Sequence, residues 1–325
     1  MRALTRRLLV GLALLWLVVT LTFLLVHLAP GDPAALLLPP NASAVDAARL
    51  RERLGLDAPL AVQYARWLAR VVHGDLGTSL ALDRPVTAVL GDALPVTLAL
   101  GGLSLALTFV LGVAVGTWQA ARRGRPDDVA LTVGATVLYA APSYWLSLAA
   151  VAVFTYGAAR WQLPLWLRLP AFGVRDPGGQ LAGAAALVDL VRHAVLPVLV
   201  LTAVGAAGIA RYARAAVVDV LAGDFVRTAR AKGLGRGGVY GRHALANALP
   251  PLVVLLGLAF PGIVAGSVFV ESVFAWPGMG RAMLQAIANR DYPVVLGATM
   301  LYAALVIGAN LAADLALPAL DPRRR

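Results

Sequence analysis

A chain of 325 residues that is 60% hydrophobic and 14% charged, with a mean hydropathy of +0.77, is far more apolar than soluble domains, which run about 45–50% apolar and 25% charged, and this excludes a soluble globular fold. The absence of cysteine excludes disulfides, thiolate metal ligands and a cysteine nucleophile. The formal net charge of +11 rests almost wholly on arginine, Lys232 being the single lysine among 28 basic residues, and its meaning depends on where the charges fall.

A bilayer core requires about 20 mainly apolar residues per helix, and six stretches meet that length. They span residues 8–28, 95–118, 129–156, 194–217, 248–270 and 294–317. The first follows Arg2, Arg6 and Arg7, as a signal peptide would. No small-x-small cleavage site follows it, so it reads as a retained transmembrane helix. The expected organisation is an N-terminal helix (1–29), an outer loop with short helices (30–93), a core of five helices (94–318) and a short tail (319–325). Within the outer loop, helical periodicity is expected over 45–54 and 59–72, with Pro59 suited to a first turn. In the third span, Pro142 beside Ser143 and Tyr144 predicts a kink that frees a backbone carbonyl at membrane depth, facing either the translocation path or a packing neighbour. The loop 157–192 carries Trp161, Trp166 and Phe172, expected as anchors at the headgroup level, with a weakly ordered connector as the alternative. Ala203, Gly205, Ala206, Ala207, Gly208 and Ala210 allow a second helix to approach closely. His27 and Asp314 are the ionisable groups nearest membrane depth; their position near helix ends favours packing or snorkelling over chemistry.

Six crossings put both termini on one side. The loops of that side hold 16 basic residues against five acids, while the other side is nearly neutral, so the termini are expected in the cytoplasm. Charge spread over short loops beside apolar spans sets topology and meets anionic lipid; it does not form a nucleic-acid groove.

The longest loop on the basic side, 218–247, is unusual for a connector. Asp224 complements the N-terminal dipole of a short helix from Phe225 to Lys232, and Gly233 supplies a left-handed stop. Arg227, Arg230 and Lys232 are expected to project, with Ala229 and Ala231 keeping the surface flat, which suits docking into a cleft of another protein; a solvated basic loop is the bland alternative. Farther on, Glu271 to Arg281 contains Trp276, Pro277 and Gly278. Proline lacks a donor and glycine admits positive φ, so a turn at the outer side is expected, lining a vestibule or simply joining two helices.

The run Asp224 to Leu234, followed by Arg242 to Pro250, resembles the signature loop of binding-protein-dependent permeases, in particular their dipeptide and oligopeptide branch. Further similarity lies at Pro30 to Pro33, Leu54 to Leu60, Gly74 to Ser79, Pro142 to Trp145, Glu271 to Arg281, Asn289 to Pro293 and Asp321 to Arg323. One departure stands out: the general signature opens Glu-Ala-Ala where this chain has Arg227, Thr228 and Ala229. The resemblance implies an all-α fold of the type I ATP-binding-cassette importer permease. It implies that Asp224, Phe225, Arg227, Thr228, Ala229, Arg230, Ala231, Lys232, Gly233 and Leu234 couple to a separate ATPase. Implied partners are a second homologous permease, two ATPase subunits and an extracytoplasmic solute-binding protein, with peptides as substrate and nickel chelates, glutathione or oligosaccharides as alternatives. Apart from the resemblance, the helix-breaking stretch with Glu271, Trp276, Pro277, Gly278 and Arg281 is a candidate lining or gate of an outer vestibule, with a plain turn as the alternative.

The chain has no Gly-x-x-x-x-Gly-Lys run, so ATP and magnesium are expected on the partner and no cofactor is expected here. No His-Glu-x-x-His pair or Gly-x-Ser-x-Gly elbow suggests a metallopeptidase or serine hydrolase, and no metal site is expected. A proton-coupled secondary transporter, the remaining rival, calls for acids in mid-span, and these spans hold almost none.

Overall fold

The computed structural model describes residues 2–28, 38, 43–178 and 181–320, and a number of side chains within its helices, Arg230, Arg242 and Asp314 among them, lie outside that description. The segments Pro30 to Pro33 and Asp321 to Arg323 also lie outside the described residues. Among the described residues the chain is helical throughout, with one isolated β-bridge between Thr78 and Pro85. Two compact units divide it: residues Met1–Val96 with Pro277–Gly308, and residues Thr97–Trp276 with Ala309–Arg325.

The first unit contains α1 (Arg2–Leu28), α2 (Ala44–Leu54), α3 (Leu60–Val72), α10 (Met279–Ala288) and parts of α4 (Val86–Ala121) and α11 (Tyr292–Leu320). The expected outer-loop helices are therefore present to within a residue or two. Ser43 and Asp46 make a capping box at the start of α2, and Gly55, at φ 69°, closes it. Trp67 of α3 packs with Val19, Phe23 and Leu296, fastening α3 onto α1 and α11. Phe23 stacks on His27 at 3.9 Å between ring centres, and the His27 Nδ1 meets the Phe23 carbonyl at 2.8 Å, so His27 belongs to packing, as expected. Asp291, 1% exposed, sits just before α11 and accepts from the backbone N–H groups of Leu80 (3.1 Å) and Ala81 (3.2 Å) and from the Ser79 hydroxyl. Gly77, at φ 85°, turns the chain so that those donors face it.

The second unit is built around α7 (Gly183–Leu221), a 39-residue helix, with the rest of α4, α5 (Pro126–Ala140), α6 (Ser143–Arg160, with a π-helical stretch Ala152–Gly157), α8 (Asp224–Ala231) and α9 (Ala246–Val273). At 1.5 Å per residue α7 is about 58 Å long, more than a bilayer core needs. The small residues of α7 do what their size predicts: a Cβ added at Gly205 would lie 2.7 Å from Thr108 Oγ1, and one at Gly112 of α4 would lie 2.7 Å from Ile209.

Among the described residues four helices are long and apolar enough to cross a membrane: Thr5–Leu28, Val86–Ala121, Gly183–Leu221 and Tyr292–Ala312. The pair α5 and α6 adds a fifth if it is one span, but the two helices meet at 104°. The remaining expected span, 248–270, coincides with the 28-residue α9, in which several side chains, 261–266 among them, lie outside the described residues. Among the described residues, four or five of the six expected spans are thus helices long and apolar enough to cross. The break at Pro142 is far sharper than the expected kink. Proline forces the preceding Ala141 out of the helical region, to φ −74° and ψ 132°, so α5 ends there and α6 restarts at Ser143.

Candidate functional site

Four features stand out as functional candidates, and the chain builds each locally. The first is α8. Its amide and carbonyl ends are handled within the loop: Thr228 Oγ donates to the Asp224 carbonyl at 3.1 Å, and the N–H groups of Lys232 and Leu234 reach back to Thr228 and Ala229 at 3.0 and 3.3 Å. Gly233 has φ 79°, the left-handed stop that its position predicts. Val226 (0% exposed) and Ala229 (7%) face inward, and α8 packs on the π-helical stretch Val239–Leu245. This corrects the expectation for Ala229, which belongs to the packed face of the helix and not to a flat outer surface. The period of 3.6 places 226 and 229 together on that face. Phe225, Arg227, Thr228, Ala231, Lys232, Gly233 and Leu234 form the exposed face. Arg227 pairs with Asp224 at 3.2 Å, but with both side chains almost fully in solvent the pair contributes little energy. The Arg230 backbone is helical, while its side chain lies outside the described residues.

The second feature lies close to the arginine-rich loops in sequence and was not foreseen from it. Arg214 of α7 holds Asp128 of α5 in a two-pronged ion pair, Nε to Oδ1 at 2.7 Å and Nη2 to Oδ2 at 2.8 Å. Asp128 is 1% exposed and also accepts the Gly124 N–H at 3.0 Å. Gln119 of α4 donates to the Asp128 carbonyl and to Thr132 Oγ. Three helices and the turn between α4 and α5 therefore share one satisfied polar knot. The 86-residue separation of its two charges hides it from any local reading.

The third is the stretch from Glu271 to Arg281, whose two parts fall in different units. In the second unit Glu271 is wholly buried and accepts from Thr97 Oγ at 2.8 Å; α9 ends at Val273, and the Trp276 N–H caps the Glu271 carbonyl at 2.8 Å. The residue with positive φ is Ala275, at 54°, not Gly278 as expected. In the first unit Pro277 is exposed, and Gly278, at φ −94° and ψ 176°, serves as the extended N-cap residue of α10, with Arg281 half-buried in its first turn. The fourth is the break at Pro142. Pro142 and Tyr144 are exposed, Ser143 is half-buried and accepts from Ser147 Oγ, and Tyr144 lies 6.4 Å from Phe269 between ring centres.

Polar contacts tie the stretch 161–169 to itself and to the flanking helices: the Leu169 N–H donates to Phe154 at 3.0 Å, Arg168 Nε to Leu163 at 2.7 Å and Arg192 to the Arg168 carbonyl at 2.9 Å. Trp161, Trp166 and Phe172 are all exposed in the loop 157–182. In the first unit a cavity of about 640 Å³ beside α3 is lined by Arg66, Arg70, Gln63, His27 and Trp67, a mixed polar and apolar lining that periodicity alone could not reveal.

Residues 92–325 match the family described as binding-protein-dependent transport system inner membrane component, and residues 1–101 match the N-terminal family of the same transport systems. A putative peptide permease protein of Brucella ovis is 39% identical over 320 residues, covering 98% of this chain and 97% of the relative. The oligopeptide transport system permease protein AppB of Bacillus subtilis is 35% identical over 319 residues, with the same coverage on both sides. The glutathione transport system permease protein GsiC of Salmonella typhimurium is 36% identical over 321 residues, again at 98% and 97%. Among solved structures, an amino acid ABC transporter superposes with a TM-score of 0.52 at 15% identity, covering 72% of this chain and 94% of that one, a likeness of fold.

Proposed function

The chain belongs to the family of inner membrane components of binding-protein-dependent transport systems, and we propose that it is the permease subunit of an ATP-driven importer of short peptides. It forms half of a translocation pore with a second, homologous permease. A solute-binding protein delivers cargo from outside, and two ATPase subunits dock below. Both termini lie in the cytoplasm, the side to which the arginine-rich loops assign them. One observation carries the peptide reading: the similarity to relatives named for peptide and oligopeptide transport runs along nearly the whole chain, the outer loop included.

The docking element is α8. A helix of eight residues is too short to be stable alone, yet here one face is held by Val226 and Ala229 while Phe225, Ala231 and Lys232 stay open. That combination supports a rigid projection that transmits movement of a partner to α7 and α9. The glutathione relatives support a second cargo, itself a modified tripeptide.

The test is co-purification of the tagged chain from its native membrane, followed by ATPase measurement with the binding protein and a library of di- to pentapeptides. Recovery of an ATPase and a second permease, with hydrolysis stimulated by peptide-loaded binding protein, is the expected result. Stimulation by glutathione alone selects the second cargo. A chain recovered without an ATPase overturns the proposal.

A further inference from the structure

We propose that Asp176, Asp189 and His193 bind one divalent transition-metal ion. All three belong to the second unit: Asp176 lies in the loop before α7, and Asp189 and His193 lie one turn apart near the start of that helix. One candidate ligand atom from each lies within 4.8 Å of the others. Asp189 is 6% exposed and His193 3%, so two of the three are withdrawn from water.

The hydrogen bonds decide the tautomer of His193. Its Nδ1 lies 2.8 Å from the Asp189 carbonyl oxygen and 3.2 Å from Asp189 Oδ1. A carbonyl oxygen only accepts, so Nδ1 carries the hydrogen. In the neutral ring Nε2 then presents a lone pair, and it faces Asp176 Oδ1 at 3.8 Å, beyond hydrogen-bonding reach. A lone pair and a carboxylate oxygen facing one another repel unless a cation lies between them. An ion at about 2.0–2.2 Å from each spans that gap with little movement of either side chain.

The charge balance points the same way. The two carboxylates carry two negative charges, and the neighbouring guanidinium of Arg192 is turned to the carbonyls of Leu165 and Arg168. A divalent ion neutralises the cluster completely, which a single proton on Nε2 does not. Imidazole combined with carboxylates suits zinc, cobalt or nickel better than magnesium or calcium. The Asp189 carbonyl, by holding Nδ1–H, orients the ring as metal-binding histidines are commonly oriented.

Asp189 Oδ2 accepts the Asp176 N–H at 3.0 Å, so the loop is already seated on α7 before any ion binds. The same loop donates from the Gly173 N–H to the Phe274 carbonyl at 2.8 Å, at the end of α9. A bound ion therefore stiffens the link between the start of α7 and the turn that follows α9. This inference stands on the cluster alone and does not depend on the transport reading.

The test uses the full-length chain in lipid nanodiscs, purified through a tag without histidine and stripped with chelator. Cobalt(II) is titrated as the probe, with bound metal counted per chain and zinc added as competitor. The expected result is one cobalt per wild-type chain, displaced by zinc, with affinity weakened about 10–100-fold in Asp176→Asn. Asp176 is exposed and its backbone contact survives that substitution, so thermal unfolding without metal should match the wild type. His193→Gln repeats the comparison from the helix side. Equal cobalt uptake by the wild type and Asp176→Asn, or none by the wild type, overturns the proposal.

Discussion

Single residues carry more of this fold than their spacing suggests. Asp128 and Arg214 hold the ends of α4, α5 and α7 in one knot, and neither has a local signature: Asp128 reads as an ordinary first-turn acid and Arg214 as one more arginine of the basic side. Asp128→Asn keeps the shape but removes the charge that Arg214 was placed to meet. With 30% of Arg214 still exposed, the cost should be about 2–3 kcal/mol, below that of a wholly buried pair. A lowered unfolding temperature in detergent checks it, and an unchanged one shows that the knot is dispensable. Asp291 tells the opposite story. Its stretch Asn289 to Pro293 and the distant Gly74 to Ser79 were both legible as segments shared with a family, but only the contact between Asp291 and the residues around Ser79 gives a physical reason for the two to occur together.

At the scale of elements, the capped helix α8 was legible because Asp224 and Gly233 mark its ends. Which face it shows was not legible, because alanine reads equally well as a flat surface or as a packed one. The structure separates the two: Ala229 is covered and Ala231 is open. Ala231→Glu should therefore abolish transport while leaving membrane insertion and thermal stability intact. Val226→Asp should instead lower stability, since it buries an unpaired charge against Val239 to Leu245. Transport assays in vesicles paired with melting curves distinguish them; normal uptake by Ala231→Glu sinks the docking role of α8. The glycines of α4 make a similar contrast. A side chain at Gly116 meets the Ala210 carbonyl oxygen and, at 2.7 Å, the Ala213 Cβ, whereas one at Gly102 meets nothing within 4 Å. Gly116→Leu should destabilise by about 1–3 kcal/mol or more, and Gly102→Ala should be neutral or gain up to about 1 kcal/mol. Protease resistance in detergent ranks the two.

For the whole molecule, the proposed orientation makes a prediction that the cysteine-free sequence makes clean to test. Asp57 and Lys232 are both exposed, and three expected crossings separate them. Single cysteines at Asp57→Cys and Lys232→Cys should react with a membrane-impermeant maleimide from opposite faces, Asp57→Cys from outside; labelling from the same face removes a crossing between them. Composition alone determined that this chain lives in a membrane and is helical, because apolar runs of bilayer length and the need to satisfy every backbone group leave few other solutions. Arginine placement determined the expected topology, and glycine, proline and aspartate at helix ends determined where the short helices begin and stop, since all of these are local effects. Tertiary structure decided the rest: the 104° break at Pro142, the inward face of α8, the knot at Asp128 and the cluster at His193. The size of the angle at Pro142 goes beyond what its local sequence specifies, and the other three depend on which separate segments meet, pairings that leave no periodicity for a linear reading to find.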